Sequence, residues 1–101
     1  MKKVEISVVI PVYNSSLNLK NLVEDLFIVL KNNFNSYELI LVNDKSLDDS
    51  WNIITNLCKS HSWIKGIELR KNIGQHNSIL AGLNYAEGDR IITMDDDCQH
   101  S

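Results

Sequence analysis

Nowhere in these 101 residues does an apolar run reach the length that a membrane-spanning helix requires. The opening MKKVEISVVIPV resembles a signal peptide only superficially, because Glu5 interrupts it and Pro11 falls within it. Cysteine is scarce. Cys58 and Cys98 stand far apart without metal-ligand spacing, which points to a reducing, cytoplasmic setting and no disulfide framework. Positive charge is thin as well: the formal net charge is -3, and the basic residues gather no further than pairs such as Lys2-Lys3 and Arg70-Lys71. That argues against a nucleic-acid surface. Repeats, low-complexity tracts and linkers are also missing. Finally, PVYNSSLN after the first apolar run contains no glycine, so neither a dinucleotide fingerprint nor a P-loop is written here.

What is present suits a single soluble domain: 44% of the residues are hydrophobic, enough for a core of its own. ISVVIPVY (6–13) and YELILVND (37–44) are β-branched runs without polar alternation, as expected of strands buried on both faces. Between them Leu19, Leu22, Val23, Leu26, Val29 and Leu30 recur at helical spacing, with Ser15 or Ser16 as the cap. Ser46 and Asp49 form a weak capping box before a second helix with a stripe of Trp51, Ile54, Leu57 and Cys58. WIKGIELR (63–70) reads as a third strand. A third helix carries Ile79, Leu80 and Leu83 on one face, with Gly88 as its C-cap, and DRIITMD (89–95) reads as a fourth strand.

The order β-α-β-α-β-α-β implies an α/β, Rossmann-like parallel sheet with right-handed crossovers. In such sheets ligands bind beyond the carboxyl ends of the strands, where the strand order reverses. Tyr13-Asn14, Asn43-Asp44, Arg70-Lys71-Asn72 and Asp95-Asp96-Asp97 are all expected on that rim. Along an extended chain Asp95 and Asp97 point the same way, roughly 6.5 Å apart at Cα, and Gln99 continues the alternation. Two carboxylates so placed suit Mg2+ or Mn2+ bridging a diphosphate, and they equally suit an exposed acidic turn. Asp44 fits either a nucleotide-reading acid or a helix-capping one. His76 reads as an exposed first-turn residue, while Trp51 and Trp63 read as core.

Other chemistries fit less well. An aspartyl phosphohydrolase needs its Asp-x-Asp after the first strand, whereas here it follows the fourth. A receiver-like signalling module would end strand one in acids, but this one ends PVYN. A nucleotide-binding module without catalysis remains an alternative.

With those motifs in view, the whole chain resembles the N-terminal half of a family 2 (GT-A fold) glycosyltransferase. VVIPVYN is similar to that family's opening strand, LILVNDKSLDDS to its V-[DN]-D-x-S-x-D segment, and LRKNIGQHNSILAGLNYAEGDRIITMDDDCQH to its R-N-x-G helix and Asp-x-Asp strand. NIGQHNSILAG and MDDDCQH look most like the branch that moves sugars onto polyprenyl phosphates such as dolichol or undecaprenyl phosphate.

The resemblance implies a UDP- or GDP-sugar donor and a Mg2+ or Mn2+ ion. It implies that Pro11 and Tyr13 border the nucleobase pocket, that Asp44 hydrogen-bonds the base, and that Asn72 joins the donor-binding set. Asp95 would contact the ribose and diphosphate region, Asp97 with Gln99 would hold the metal, and Asp95 and Asp97 would be the catalytic pair. Two positions depart from the family: Ser15-Ser16 replaces a usual glutamate, and Lys45 stands where glycine is usual. The resemblance further implies that residues 1–101 are the nucleotide-sugar-binding half, without the acceptor half, and inactive alone. The full protein is then expected at the cytoplasmic face of a membrane. A sheet order of 3-2-1-4 would leave strand four as an open edge, predicting self-association through it or disorder after Asp97.

Overall fold

The computed structural model describes residues 3–95, so Asp96, Asp97, Cys98, Gln99 and His100, with every expectation placed on them, lie outside the described residues. The elements are β1 (Ile6–Val12), α1 (Leu19–Asn33), β2 (Tyr37–Asn43), α2 (Ser50–Ser60), β3 (Ile64–Glu68), α3 (Gln75–Leu83) and β4 (Arg90–Thr93). All strand pairs are parallel, as the alternation of elements predicts, and the sheet order is β3-β2-β1-β4. The chain steps outward from β1 through β2 to β3, then returns to the other side of β1 for β4. The order therefore reverses at β1, between β2 and β4.

Strand parity sorts the core into two layers. On one face Ile6, Val8, Ile10, Val12, Leu39 and Leu41 pack beneath α1 and α2. On the other, Val9, Ile40 and Val42 meet Ala81, Leu83 and Ala86 from α3 and the turn after it. β1 is buried along its whole length, which is why its sequence shows no alternation. Trp51 and Trp63 pack against the larger layer. In Trp63 the indole stacks on Phe27, with ring centroids 5.5 Å apart.

Several local expectations are corrected. Val29 is 54% exposed, because the buried stripe of α1 is narrower than its apolar spacing and ends at Leu19, Leu22, Val23, Leu26 and Leu30. Neither Ser15 nor Ser16 caps α1; the helix starts after Asn18 without a side-chain cap. The Ser46/Asp49 capping box does not form either, and Asp48 instead accepts the Ser50 N–H at 3.0 Å and its hydroxyl at 2.6 Å. On α3, Leu80 is 48% exposed and the buried positions are Ser78 and Gly82. The cause is close approach: a Cβ on Gly82 would sit 2.5 Å from Cγ1 of Val9 and 2.9 Å from Cγ2 of Val42. No large side chain fits there. The helix ends at Asn84, not Gly88.

Gly88 has another task. Its N–H donates to the Ser7 hydroxyl at 2.8 Å, and that hydroxyl donates to the buried Glu38 carboxylate at 2.5 Å. Glu38 also accepts the Glu87 N–H at 2.7 Å and pairs with Lys65 at 2.8 Å. Burial pushes the Glu38 carboxyl up, but these donors outweigh it and hold its pKa below the ordinary value. Lys65 is correspondingly raised, chiefly by its hydrogen bond to Glu38. The cluster clasps the α3–β4 turn to the amino ends of β1 and β2.

Candidate functional site

At the opposite, carboxyl end of the sheet a cavity of about 140 Å³ is lined by Pro11, Val12, Tyr13, Asp44 and Gln75. It lies where β1 leaves the sheet, at the point of strand-order reversal. Pro11 and Val12 are buried and apolar, while Tyr13 is 45% exposed and so presents a ring at the opening.

Asp44 is only 4% exposed, and parity puts it on the α3 face of the sheet with Ile40 and Val42. Its Oδ1 accepts the Ile73 N–H at 2.8 Å and its Oδ2 accepts the Gly74 N–H at 2.9 Å. A buried carboxylate so satisfied is an anchor for the loop that enters α3. Asp44 thus caps nothing on α2, the helix that follows it; it holds the residue preceding α3. Each oxygen keeps a second lone pair.

Gly74 takes φ 88° and ψ 159°, which only glycine adopts without strain. Asn72 is exposed and its side-chain oxygen accepts the Gly74 N–H at 3.2 Å, so it shapes this turn and does not line the cavity.

The loops after β1 and β2 are stitched together. The Asn14 N–H donates to the Ser46 hydroxyl at 3.0 Å, and the Asn14 side-chain oxygen accepts the Leu47 N–H at 2.8 Å. Ser46 donates in turn to the Asn43 side chain. The two serines that replace the family's glutamate belong to this stitching: the Ser15 N–H donates to the Ser50 hydroxyl at 2.9 Å, and the Ser16 N–H to Asp48 at 3.1 Å. Partial burial pushes the Asp48 carboxyl up, but donors from Ser50 and Ser16 prevail and hold its pKa at about 2. Asn14 and Lys45 both have left-handed backbones, with φ of 51° and 55°. The second explains why glycine is usual at the Lys45 position of the family the sequence resembles.

Asp95 follows β4 on the same rim, exposed. The Gln75 side-chain amide donates to its Oδ1, so Gln75 touches both the cavity wall and the Asp95 carboxylate. Sequence reasoning missed Gln75. Its only signal was its place directly after the N-I-G of the motif that opens the third helix. Pro11, Tyr13, Asp44 and Asp95 are brought to one rim, and His76 is exposed and outside the cavity lining. Asp97 and Gln99 lie outside the described residues.

Among the described residues no group of three or more His, Cys, Asp or Glu side chains gathers as a metal centre. Mg2+ and Mn2+ do not require one, since one or two carboxylates complete their shell with substrate phosphates and water. The hard oxygen donor that Asp95 presents to solvent fits such an ion. No helix among the described residues is long and apolar enough to cross a membrane.

Comparison with known proteins bears on the fold and the family. The chain is 42% identical over 96 residues to the undecaprenyl-phosphate 4-deoxy-4-formamido-L-arabinose transferase of Shewanella sediminis, covering 94% of this chain and 29% of that protein. It thus spans less than a third of the curated relative it matches. Among solved structures it superposes on S. aureus TarS 1-349 in complex with UDP-GlcNAc with a TM-score of 0.79 at 27% identity, over 92% of this chain and 26% of that one. The mannosyltransferase PcManGT from Pyrobaculum calidifontis, in complex with GDP-Man and Mn2+, shares the fold at a TM-score of 0.83 and 16% identity, over 96% of this chain and 28% of that one. The family profile described as Glycosyl transferase family 2 matches residues 7–101. With that profile covering all but the first six residues, the chain belongs to glycosyl transferase family 2.

Proposed function

We propose that residues 1–101 are the donor-binding half of a sugar transferase, which takes a UDP- or GDP-sugar and, in the whole protein, passes the sugar to a polyprenyl phosphate. One observation carries this reading: the cavity at the sheet's reversal point is flanked by an anchored acid, Asp44, and reaches the strand-end acid Asp95 through Gln75. The relative's name, an undecaprenyl-phosphate sugar transferase, supports the acceptor class. The UDP-GlcNAc complex of TarS supports the donor class.

In this mechanism Pro11 and Val12 form an apolar floor and Tyr13 offers its ring to the base. Asp44 accepts a base N–H on a remaining lone pair. Asp97 with Gln99, and the Asp95 carboxylate on the same strand end, would hold a Mg2+ or Mn2+ ion, which would supply charge neutralisation for the departing nucleoside diphosphate. A neighbour of the same fold contains Mn2+ with GDP-Man. Asp95 and Asp97 are the residues at the reacting end. The chain alone binds donor without transferring sugar, because it spans 29% of the transferase it matches. The proposed location is the cytoplasm, with the whole protein at the cytoplasmic face of a membrane. Strand β4, paired only with β1 among the described residues, is the edge through which the isolated chain self-associates.

Calorimetry with UDP and GDP, with and without Mn2+, tests the reading. Metal-dependent binding of one nucleotide is expected. Absence of binding to either nucleotide in the presence of Mn2+ would overturn it. Sugar transfer from labelled donor to polyprenyl phosphate by the 101-residue chain would overturn the division of labour, and a monomer at all concentrations in sedimentation would overturn the edge pairing.

A further inference from the structure

We propose that Gln75 is a positioning residue that aims the Asp95 carboxylate at the donor's cation, an inference that rests on the metal-nucleotide reading above. Asp95 cannot aim itself. Its backbone is anchored through Met94, which packs against the core and donates its N–H to Val9, but the Asp95 side chain itself is exposed and not held by burial. Gln75, by contrast, stands on a fixed platform. Asp44 holds the two amides immediately before it, and the Gly74 carbonyl accepts both the N–H and the hydroxyl of Ser78, each at 2.9 Å. The Gln75 side chain lines the cavity and donates Nε2–H to Asp95 Oδ1. Asp44, buried on β2, thereby sets the orientation of Asp95 beyond β4 by way of α3.

The chemistry of the donor suits this task. A neutral amide occupies one carboxylate oxygen and leaves the other open to a cation. A lysine or arginine at this place would orient Asp95 equally well, yet would repel the ion. Hydrogen-bonding partners behind metal-binding carboxylates contribute about 10–100-fold to metal affinity. Gln75 and Asp95 are both exposed, so the contact contributes little to the stability of the fold itself.

The test has a ligand-free and a ligand-bound arm. In the free protein, the Gln75 side-chain NH2 resonances are expected to be shifted by the carboxylate, and Asp95→Ala, which removes the acceptor, is expected to return them to ordinary glutamine positions. Unshifted wild-type resonances would overturn the contact. In the second arm, Mn2+ affinity in the presence of UDP or GDP is read by electron paramagnetic resonance for wild type, Gln75→Leu and Gln75→Lys. Both variants are expected to keep the wild-type melting temperature and to bind Mn2+ about tenfold more weakly or worse. If Gln75→Lys, which still donates to Asp95, restores Mn2+ binding, the contact merely braces the loop and the proposal is wrong. Undiminished binding in Gln75→Leu also overturns it. Failure of the wild type to bind Mn2+ with either nucleotide overturns the metal-nucleotide reading, and the role of Gln75 with it.

Discussion

Asp44 and Gly74 are 30 residues apart in sequence, yet the Gly74 N–H points at Asp44 Oδ2 across 2.9 Å. The neighbouring Ile73 N–H takes the other oxygen at 2.8 Å. An asparagine at position 44 offers one acceptor and turns its NH2 toward a second N–H. Asp44→Asn is therefore expected to cost about 1–3 kcal/mol, the penalty for an unsatisfied buried group, in urea unfolding. A stability equal to wild type would show that the loop does not depend on this carboxylate.

Lys45 is the residue to relax. Its φ of 55° costs an L-residue roughly 1–2 kcal/mol, partly offset on replacement by the larger unfolded-state entropy of glycine. Lys45→Gly should raise stability by about 0.5–1 kcal/mol. Lys45→Val should lower it, since a branched Cβ tolerates this backbone least. Paired thermal melts decide between these signs.

The stitching through Asp48 predicts an acid limit. Its folded pKa, about 2, lies below the ordinary 3.8, so its contribution is complete above pH 3.8 and lost as pH falls toward 2. Melting temperatures of wild type and Asp48→Asn should differ at pH 6 and converge between pH 4 and pH 2. A constant gap over that interval would contradict the assignment.

At the other end of the sheet, Lys65→Met strips the buried Glu38 of its countercharge. Because Lys65 is itself half-exposed, the expected loss is about 1–2 kcal/mol, below the roughly 3–5 of a fully buried pair. Adding Glu38→Gln should recover part of it, since the amide oxygen still accepts from Ser7 or Glu87. Denaturant midpoints of the single and double variants measure the coupling.

Much of the architecture was legible in the residues. Unbroken apolar runs at 6–13 and 37–44 mark doubly buried strands, and their alternation with helices leads to a parallel sheet, whose order β3-β2-β1-β4 the alternation alone does not fix. The rim rule put Tyr13 and Asp44 at the carboxyl end of the sheet, and a cavity lined by both lies there; Pro11 was named only through the family resemblance. What escaped depends on distance along the chain or on closeness of packing. Gln75 meets Asp95 across 20 residues, and no local pattern announces such a meeting. Leu80 looked like core and is not. α3 lies so near Val9 and Val42 that small residues, Ser78 and Gly82, take its fully buried positions. The caps failed for a similar reason: Ser15 and Ser16 donate their N–H groups to Ser50 and Asp48, and Ser46 accepts from Asn14, so these residues join two loops and do not cap the helices that follow them.

The thin attachment of β4 links ligand and fold. Bonded to β1 alone among the described residues and burying none of its own, β4 opens at low free-energy cost, carrying Asp95 with it. A donor gripped by Asp44 and Asp95 at once would fasten that strand, so amide exchange at Ile92 and Thr93 would slow as the site fills. Reciprocity would then run the other way: whatever steadies the outer edge of β4 would tighten the hold on such a donor, even from a surface the donor never meets.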